Sequence, residues 1–319
     1  MLGLLPHFGL APLRLATEHP LPGSPERCLA RWAVEDGEHR LWMLERLGPG
    51  QAARRQELGA LLEVLAQDPD LGPLVPAYRR VQDGSGHMLG VPEGPLAGHW
   101  QVSPFVPGIE LPRPAYLGHS WRGQALGRFL LGLRRVSAGW PQIPAANVPP
   151  LVDYIRDLRT TLAQRKPAVA KRLERLDPIL ETLPAVLAAQ PVALAHGDLH
   201  PLNVQWGEGP DAPVRAVIDW EFAGARPLLL DAANCMGCAG FEHPAGLTQG
   251  FVPALAQTLA AGGIAAELLR LLPAMVLASR FGWLSEWLRK NDRDMLDMEL
   301  DYLDILKGSQ ERLAAAWSS

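Results

Sequence analysis

Three oxygen-bearing side chains define the chemistry this chain offers. Asp198 and Asn203 are separated by four residues in Ala195-His196-Gly197-Asp198-Leu199-His200-Pro201-Leu202-Asn203-Val204, and Asp219 follows in Ile218-Asp219-Trp220-Glu221. Carboxylates and an amide oxygen are hard donors of the kind magnesium prefers, and magnesium usually completes its shell with substrate phosphates. Phosphoryl transfer needs these parts: an Asp to orient or deprotonate the attacking hydroxyl, an Asn shortly after it for metal, and a second Asp for metal. Taken singly, an Asp or Asn in a loop is ordinarily a turn residue, and His196 alone reads as a structural histidine. The constellation, not any one member, points to chemistry.

Such side chains need strand ends to hold them. Residues 191–195 and 214–218 are short apolar runs that read as buried strands, with a Gly/Pro/Asp turn at 207–213 between them. Upstream, residues 27–47 read as a β-hairpin about Asp36-Gly37. Pairing across a two-residue turn puts Cys28, Ala30, Trp32 and Val34 on one face with Leu41, Met43, Glu45 and Leu47. A helix is expected over 51–67, with Arg54, Leu58, Leu61, Leu62 and Leu65 along one stripe. A short strand at 100–106 ends in Pro107-Gly108, and helices are expected at 121–138, 150–165, 168–188 and throughout the region beyond 228. This plan is an α/β (α+β) bilobal one: a small β-rich N-lobe over 1–102, a connector at 103–108 and a larger, mainly helical C-lobe over 109–319.

The run His196–Asn203, followed by Val217-Ile218-Asp219-Trp220-Glu221, resembles the catalytic loop and metal-binding segment of aminoglycoside phosphotransferases, choline kinases and homoserine kinase-like enzymes, which share a protein-kinase-like fold. The hairpin, the connector and Leu228-Leu229-Leu230-Asp231 fall in that family's order, so the likeness covers nearly the whole chain. It is specific at 196–221. The resemblance implies Asp198 as catalytic base, His196 as support for the loop, and Asn203 and Asp219 as Mg2+ ligands with ATP as co-substrate. It also implies that Gln101, Ser103, Phe105 and Val106 line the adenine through backbone groups, and that Asp231 bonds backbone near the catalytic loop.

The pattern departs from the family at one position. The strand after the hairpin turn carries Glu45 where the family has a lysine for the ATP phosphates. A carboxylate there repels phosphate, and Arg46, on the opposite side of the strand, is not an easy substitute. Glu45 pairs with Arg54, or Arg14 or Arg31 reaches the phosphates from elsewhere, or the register differs. The segment 22–26, where the family has its phosphate loop, has one glycine and two prolines and so few backbone donors.

Composition excludes other classes. With 319 residues, 48% apolar, the chain can bury one large or two medium cores. A formal net charge of −4 gives no electrostatic reason to expect nucleic acid or an anionic membrane. The N-terminal residues make a poor secretory signal and no apolar run spans a bilayer, so a cytoplasmic protein is expected. Cys28, Cys235 and Cys238 are too few for a disulfide framework, and the two-residue gap in Cys235–Cys238 lacks a second pair for zinc.

The stretch 280–289, with Arg280, Trp283 and Trp287, precedes Asp292, Asp294, Asp297, Glu299 and Asp301. It is either a pocket for a cationic substrate or two amphipathic helices packing their Trp and Leu residues inward. Glu221, just past Asp219, is a further candidate substrate contact. The expected activity is an ATP-dependent phosphotransferase acting on a hydroxyl of a small metabolite: an amino alcohol, a homoserine-like amino acid, a sugar or an aminoglycoside. The alternative is a catalytically weak nucleotide-binding or regulatory protein. A protein kinase is disfavoured, because no activation segment with its closing motif follows Asp219. The sequence leaves oligomeric state and the choice between ATP and GTP open.

Overall fold

The computed structural model describes residues 1–21, 28–48, 50–140 and 142–318. The expected phosphate-loop segment 22–26 lies outside them. The chain divides into two compact units, Met1–Glu110 with Leu202–Glu221, and Leu111–Pro201 with Phe222–Ser319. No helix among the described residues is long and apolar enough to cross a membrane.

The first unit is built on a five-stranded antiparallel sheet of β1 (Pro12–Leu15), β2 (Ala30–Asp36), β3 (Leu41–Leu47), β4 (Leu89–Val91) and β5 (Gly98–Pro104), in the order β1-β2-β3-β5-β4. Helix α1 (Ala52–Leu65) follows β3. One sheet face carries Val34, Trp42, Leu44, Trp100 and Val102 into a core shared with Leu4, Leu5 and Phe8 of an N-terminal 3-10 turn. The other face carries Ala33, Met43 and Phe105.

The hairpin differs from expectation by one residue of register. Arg31 stands opposite Glu45, Ala33 opposite Met43 and Glu35 opposite Leu41. Glu45 therefore shares its face with Arg31 and Ala33, not with Trp32 and Val34. The cause is the turn. Asp36 N–H donates to Arg40 O at 3.0 Å, leaving a three-residue connection whose last member, His39, has φ 61°. The Asp36 carboxylate receives the N–H groups of Glu38 and Arg40, both at 2.9 Å. A three-residue loop closing in a left-handed residue is a common hairpin solution, and a one-residue change flips every side chain.

Strand β6 (Val192–Ala195) belongs to the second unit. The chain then returns to the first with β7 (Val204–Trp206) and β8 (Val214–Val217), an antiparallel pair with Val204 opposite Val217. In the second unit β6 pairs with β9 (Gly224–Pro227). Its helices before β6 are α2 (Ser120–Ala138), α3 (Leu151–Arg165), α4 (Pro167–Leu173), α5 (Asp177–Leu180) and α6 (Leu183–Ala188). After β9 come α7 (Leu230–Glu242), α8 (Phe251–Ala261), α9 (Ala266–Leu269), α10 (Leu272–Lys290), α11 (Arg293–Gly308) and α12 (Gln310–Trp317).

The single helix expected over 168–188 is three short ones. Pro178 and Pro184 each fall in the first turn of a new helix, where the missing N–H costs nothing and the ring ends what precedes it. Helices α2 and α8 touch because Gly123 has no side chain: a Cβ there would lie 2.0 Å from Phe251 O. Between α10 and α11 the chain turns through Asn291 at φ 54°, and the Asp292 carboxylate then caps α11 by accepting Met295 N–H at 3.1 Å.

Candidate active site

Within the first unit, an open cleft of about 600 Å³ is lined by Ser103, Pro104, Phe105 and Val106 of the segment after β5, by Arg31, Met43 and Glu45 of the hairpin, by Arg55 and Tyr78, and by Asp219. Across residues 104–107 the backbone donors are scarce. Pro104 and Pro107 have no N–H, and Phe105 N–H donates to Leu41 O at 3.0 Å. Val106 supplies the remaining amide donor. Gln101 is not on the cleft wall: it is opposite Glu45 in the ladder and fully buried, with neither amide atom hydrogen-bonded.

Asn203 and Asp219 are brought together by one ladder. Asn203 precedes β7, Asp219 follows β8, and Ile218 N–H donates to Asn203 O at 2.9 Å, extending the pairing to the residue beside each. Asn203 is buried. Asp219 turns off the strand at φ 66° into a 3-10 turn beginning at Trp220. A left-handed backbone at a non-glycine residue costs about 1 kcal/mol or more and is kept where surroundings enforce it. The pair offers one carboxylate and one amide oxygen, which fit magnesium by donor type but are too few to hold it without phosphate or water oxygens. Among the described residues no group of three His, Cys, Asp or Glu side chains is placed to hold a metal ion.

Glu45 is engaged by α1, one residue away from the expected partner. Arg55, not Arg54, approaches it, with Nη1 3.9 Å from Glu45 Oε2. Arg55 Nη2 lies 3.6 Å from Glu221 Oε2, and Nη1 donates to Tyr78 Oη at 2.9 Å. Arg54 donates to the Glu221 carbonyl at 3.2 Å from both Nε and Nη2. Both arginines satisfy the helical spacing to Leu58 and Leu62 or Leu61, and tertiary contacts decide between them. Glu221, expected as a substrate contact, is held by α1 through both its carbonyl and its carboxylate. Arg14 pairs with Glu18 and Glu35.

Within the second unit, the loop after β6 carries Asp198. Gly197 has φ 86°, and a Cβ there would lie 2.3 Å from Phe222 O, so only glycine fits. His196 is fully buried, and its Nδ1 accepts Asp198 N–H at 3.3 Å, which needs that nitrogen unprotonated. The Asp231 carboxylate, at the start of α7, receives the backbone N–H of His196 at 2.6 Å and of Gly197 at 2.9 Å, the role expected for it. Asn234, one turn further, donates to Leu199 O at 3.1 Å and accepts Trp283 Nε1–H at 3.3 Å. His200, which sequence reasoning passed over, sits with Nε2 3.9 Å from Asp198 Oδ2 and its ring edge-on to Trp283 at 5.5 Å. Its position inside the loop motif was the available signal.

The C-terminal aromatic and acidic residues take mostly structural places. Arg280 has a side chain 1% exposed and gives both edges of its guanidinium to Glu299, at 2.7 and 2.5 Å. Its guanidinium is thus taken up in a buried ion pair. Trp287 Nε1 donates to the same carboxylate at 3.1 Å, and Trp283 and Trp287 pack at 5.7 Å between ring centroids. Asp297 and Asp301 pair with Arg172 of α4. Glu299, Asp297 and Asp301 are thus each paired with an arginine. Cys235 is buried on α7, and burial pushes the nearby Cys238 thiol up to about 12.

A family model described as the phosphotransferase enzyme family matches residues 29–263. No curated protein matches the sequence. Solved structures resemble the chain in fold. The GDP complex of aminoglycoside 2'-phosphotransferase-IIIa is 17% identical over 97% of both chains, with a TM-score of 0.61. Amicoumacin kinase hAmiN, in complex with AMP-PNP, Ca2+ and Ami, is 14% identical over 90% of both chains, with a TM-score of 0.61. A microcompartment-associated aminopropanol kinase is 18% identical over 99% of this chain and 97% of its own, with a TM-score of 0.58.

Proposed function

This chain belongs to the phosphotransferase enzyme family, and on that premise we propose that it transfers the γ-phosphate of ATP to a hydroxyl of a small metabolite. The observation that carries the reading is the ladder that sets Asn203 beside Asp219, with Asp219 lining the same cleft as Ser103–Val106. In this reading 1–102 is the nucleotide-side lobe, 103–108 the connector and 109–319 the acceptor-side lobe. Ser103, Phe105 and Val106 receive the nucleotide base, with the Val106 N–H as donor.

Magnesium, when held by Asn203 and Asp219, supplies charge neutralisation to the phosphates. Asp198 orients the acceptor hydroxyl for in-line attack, and its carboxylate takes the hydroxyl proton. His196 and Asp231 hold the Asp198 loop through its backbone, so that Asp198 meets the acceptor without reorganising. Trp283 and Trp287, half-buried on α10, remain candidate contacts for the acceptor. The GDP and AMP-PNP complexes of the two structural relatives support a nucleotide partner.

ATP consumption measured against amino alcohols, homoserine-like amino acids, sugars and aminoglycosides tests the reading. Acceptor-dependent turnover that disappears in Asp198→Asn is expected. Turnover indifferent to acceptor, or equal in the variant, contradicts it.

A further inference from the structure

The first unit contains no lysine. The chain's lysines are Lys166, Lys171, Lys290 and Lys307, all in the second unit. Any cation that the first unit offers to a nucleotide's phosphates is therefore an arginine or a histidine, whatever the strand register. Several of its arginines are engaged elsewhere: Arg14 with Glu18, Arg40 with Asp36, Arg80 with Glu63, and Arg54 on the Glu221 carbonyl. Two line the cleft, Arg31 and Arg55.

We infer that Arg55, carried by α1, hydrogen-bonded to Tyr78 and flanked by Glu45 and Glu221, is the cation that holds the nucleotide phosphates, an assignment that rests on the nucleotide reading above. Strand and helix have exchanged charges: the carboxylate stands on β3 and the cation on α1.

Three features favour Arg55 over Arg31. The first is place. Arg55 lies 3.6 Å from the carboxylate of Glu221, two residues past Asp219, so its charge sits beside the turn that follows the candidate metal ligand. The second is donor capacity. Glu45 and Glu221 stand at 3.9 and 3.6 Å, beyond hydrogen-bond reach, and the side chain's one hydrogen bond among the described residues goes to Tyr78 Oη. A guanidinium has five N–H donors in a fork that matches phosphate oxygens, so most of that fork remains to be used. The third is burial. Arg55 is 8% exposed, where a charge is screened less than at the surface. Arg31 lies opposite Glu45 on the neighbouring strand. Glu45, which alone would repel phosphate, has the Arg55 charge 3.9 Å away, and the hydrogen bond to Tyr78 Oη fixes one edge of the fork.

Calorimetric titration with magnesium-ATP and with adenosine, for the native chain, Arg55→Gln and Arg31→Gln, tests the assignment. Loss of a charge-assisted fork should weaken magnesium-ATP about tenfold or more in Arg55→Gln, while adenosine binding is unchanged. A general disturbance of the fold would weaken both ligands alike and overturn the assignment. A native chain that binds neither ligand brings down the nucleotide reading itself. A native chain that binds both, with magnesium-ATP unaffected in Arg55→Gln or with the loss appearing in Arg31→Gln instead, overturns the role of Arg55 and leaves that reading standing. Because Arg55→Gln leaves the Glu45 and Glu221 carboxylates without that cation, the pair-neutral Glu45→Gln/Arg55→Gln is measured beside it. Selective loss of magnesium-ATP is expected there too, and retained affinity overturns the assignment.

Discussion

The carboxylate of Asp231 accepts the backbone N–H of His196 at 2.6 Å, and with it the loop that carries Asp198 is tied to the start of α7. Burial outweighs this bond and the one from Gly197, and pushes the Asp231 carboxyl up to about 6 from an ordinary 3.8. A folded-state value above the unfolded one means that the folded chain holds the proton more tightly. The stability this contributes is complete below pH 3.8 and is lost as pH rises through about 6. Urea unfolding of the native chain and of Asp231→Asn between pH 4 and pH 7 measures the effect. The native chain is expected to lose about 3 kcal/mol relative to the variant across that range. A difference that stays flat, or moves in the native chain's favour, contradicts the account.

The buried pair of Arg280 and Glu299 predicts a larger static effect. Both side chains are 1% exposed or less. Removing one partner of such a pair leaves an uncompensated buried charge and costs about 3–5 kcal/mol. Glu299→Ala should show that loss in denaturant unfolding, whereas Arg280→Met/Glu299→Leu should regain most of it. A single variant within about 1 kcal/mol of the native chain, the size of an ordinary surface salt bridge, contradicts it.

The hairpin turn is held by Asp36, whose carboxylate also accepts Arg40 Nε–H and Trp42 Nε1–H, both at 2.9 Å. Burial opposes the charge, yet the donors from Arg40, Trp42 and Glu38 hold this carboxyl down to about 2. Its stabilisation is therefore present above pH 3.8 and lost as pH falls towards 2. Asp36→Ala should cost on the order of 2 kcal/mol at neutral pH, and the gap to the native chain should close on acidification below pH 3.8. An unfolding profile whose gap persists at pH 2.5 would count against the assignment.

Those three sites differ in how far the sequence revealed them. The two-lobed, kinase-like plan was legible because the strands leading to Asp198 and Asp219 are short apolar runs bounded by turn residues, whereas β7, the three-residue strand after Asn203, was not expected. Asp231 was legible too, through the resemblance of Leu228-Leu229-Leu230-Asp231 to the family's order. The face of the hairpin was not. Asp36-Gly37 reads as a two-residue turn, but the left-handed residue is His39, and that single residue decides which side Glu45 faces. Nor does spacing separate Arg54 from Arg55, since each is three or four residues from leucines on the buried stripe; only the packing of α1 against Glu45 and Glu221 does. The edge strands β1 and β4 are four and three residues long, too short to show an alternation. Glu299 reads as one more acidic residue on an exposed helix face until Arg280 is seen beside it.

Everything proposed for this site depends on magnesium-nucleotide binding where Asp219 lines the cleft. Thermal unfolding with and without magnesium-ATP, for the native chain and Asp219→Ala, measures it most directly. At a hundred times its dissociation constant a ligand adds about 2.7 kcal/mol to the state that binds it. A magnesium-dependent rise in Tm is expected for the native chain and is lost in Asp219→Ala. No rise at millimolar nucleotide, or an equal rise in both proteins, would contradict it.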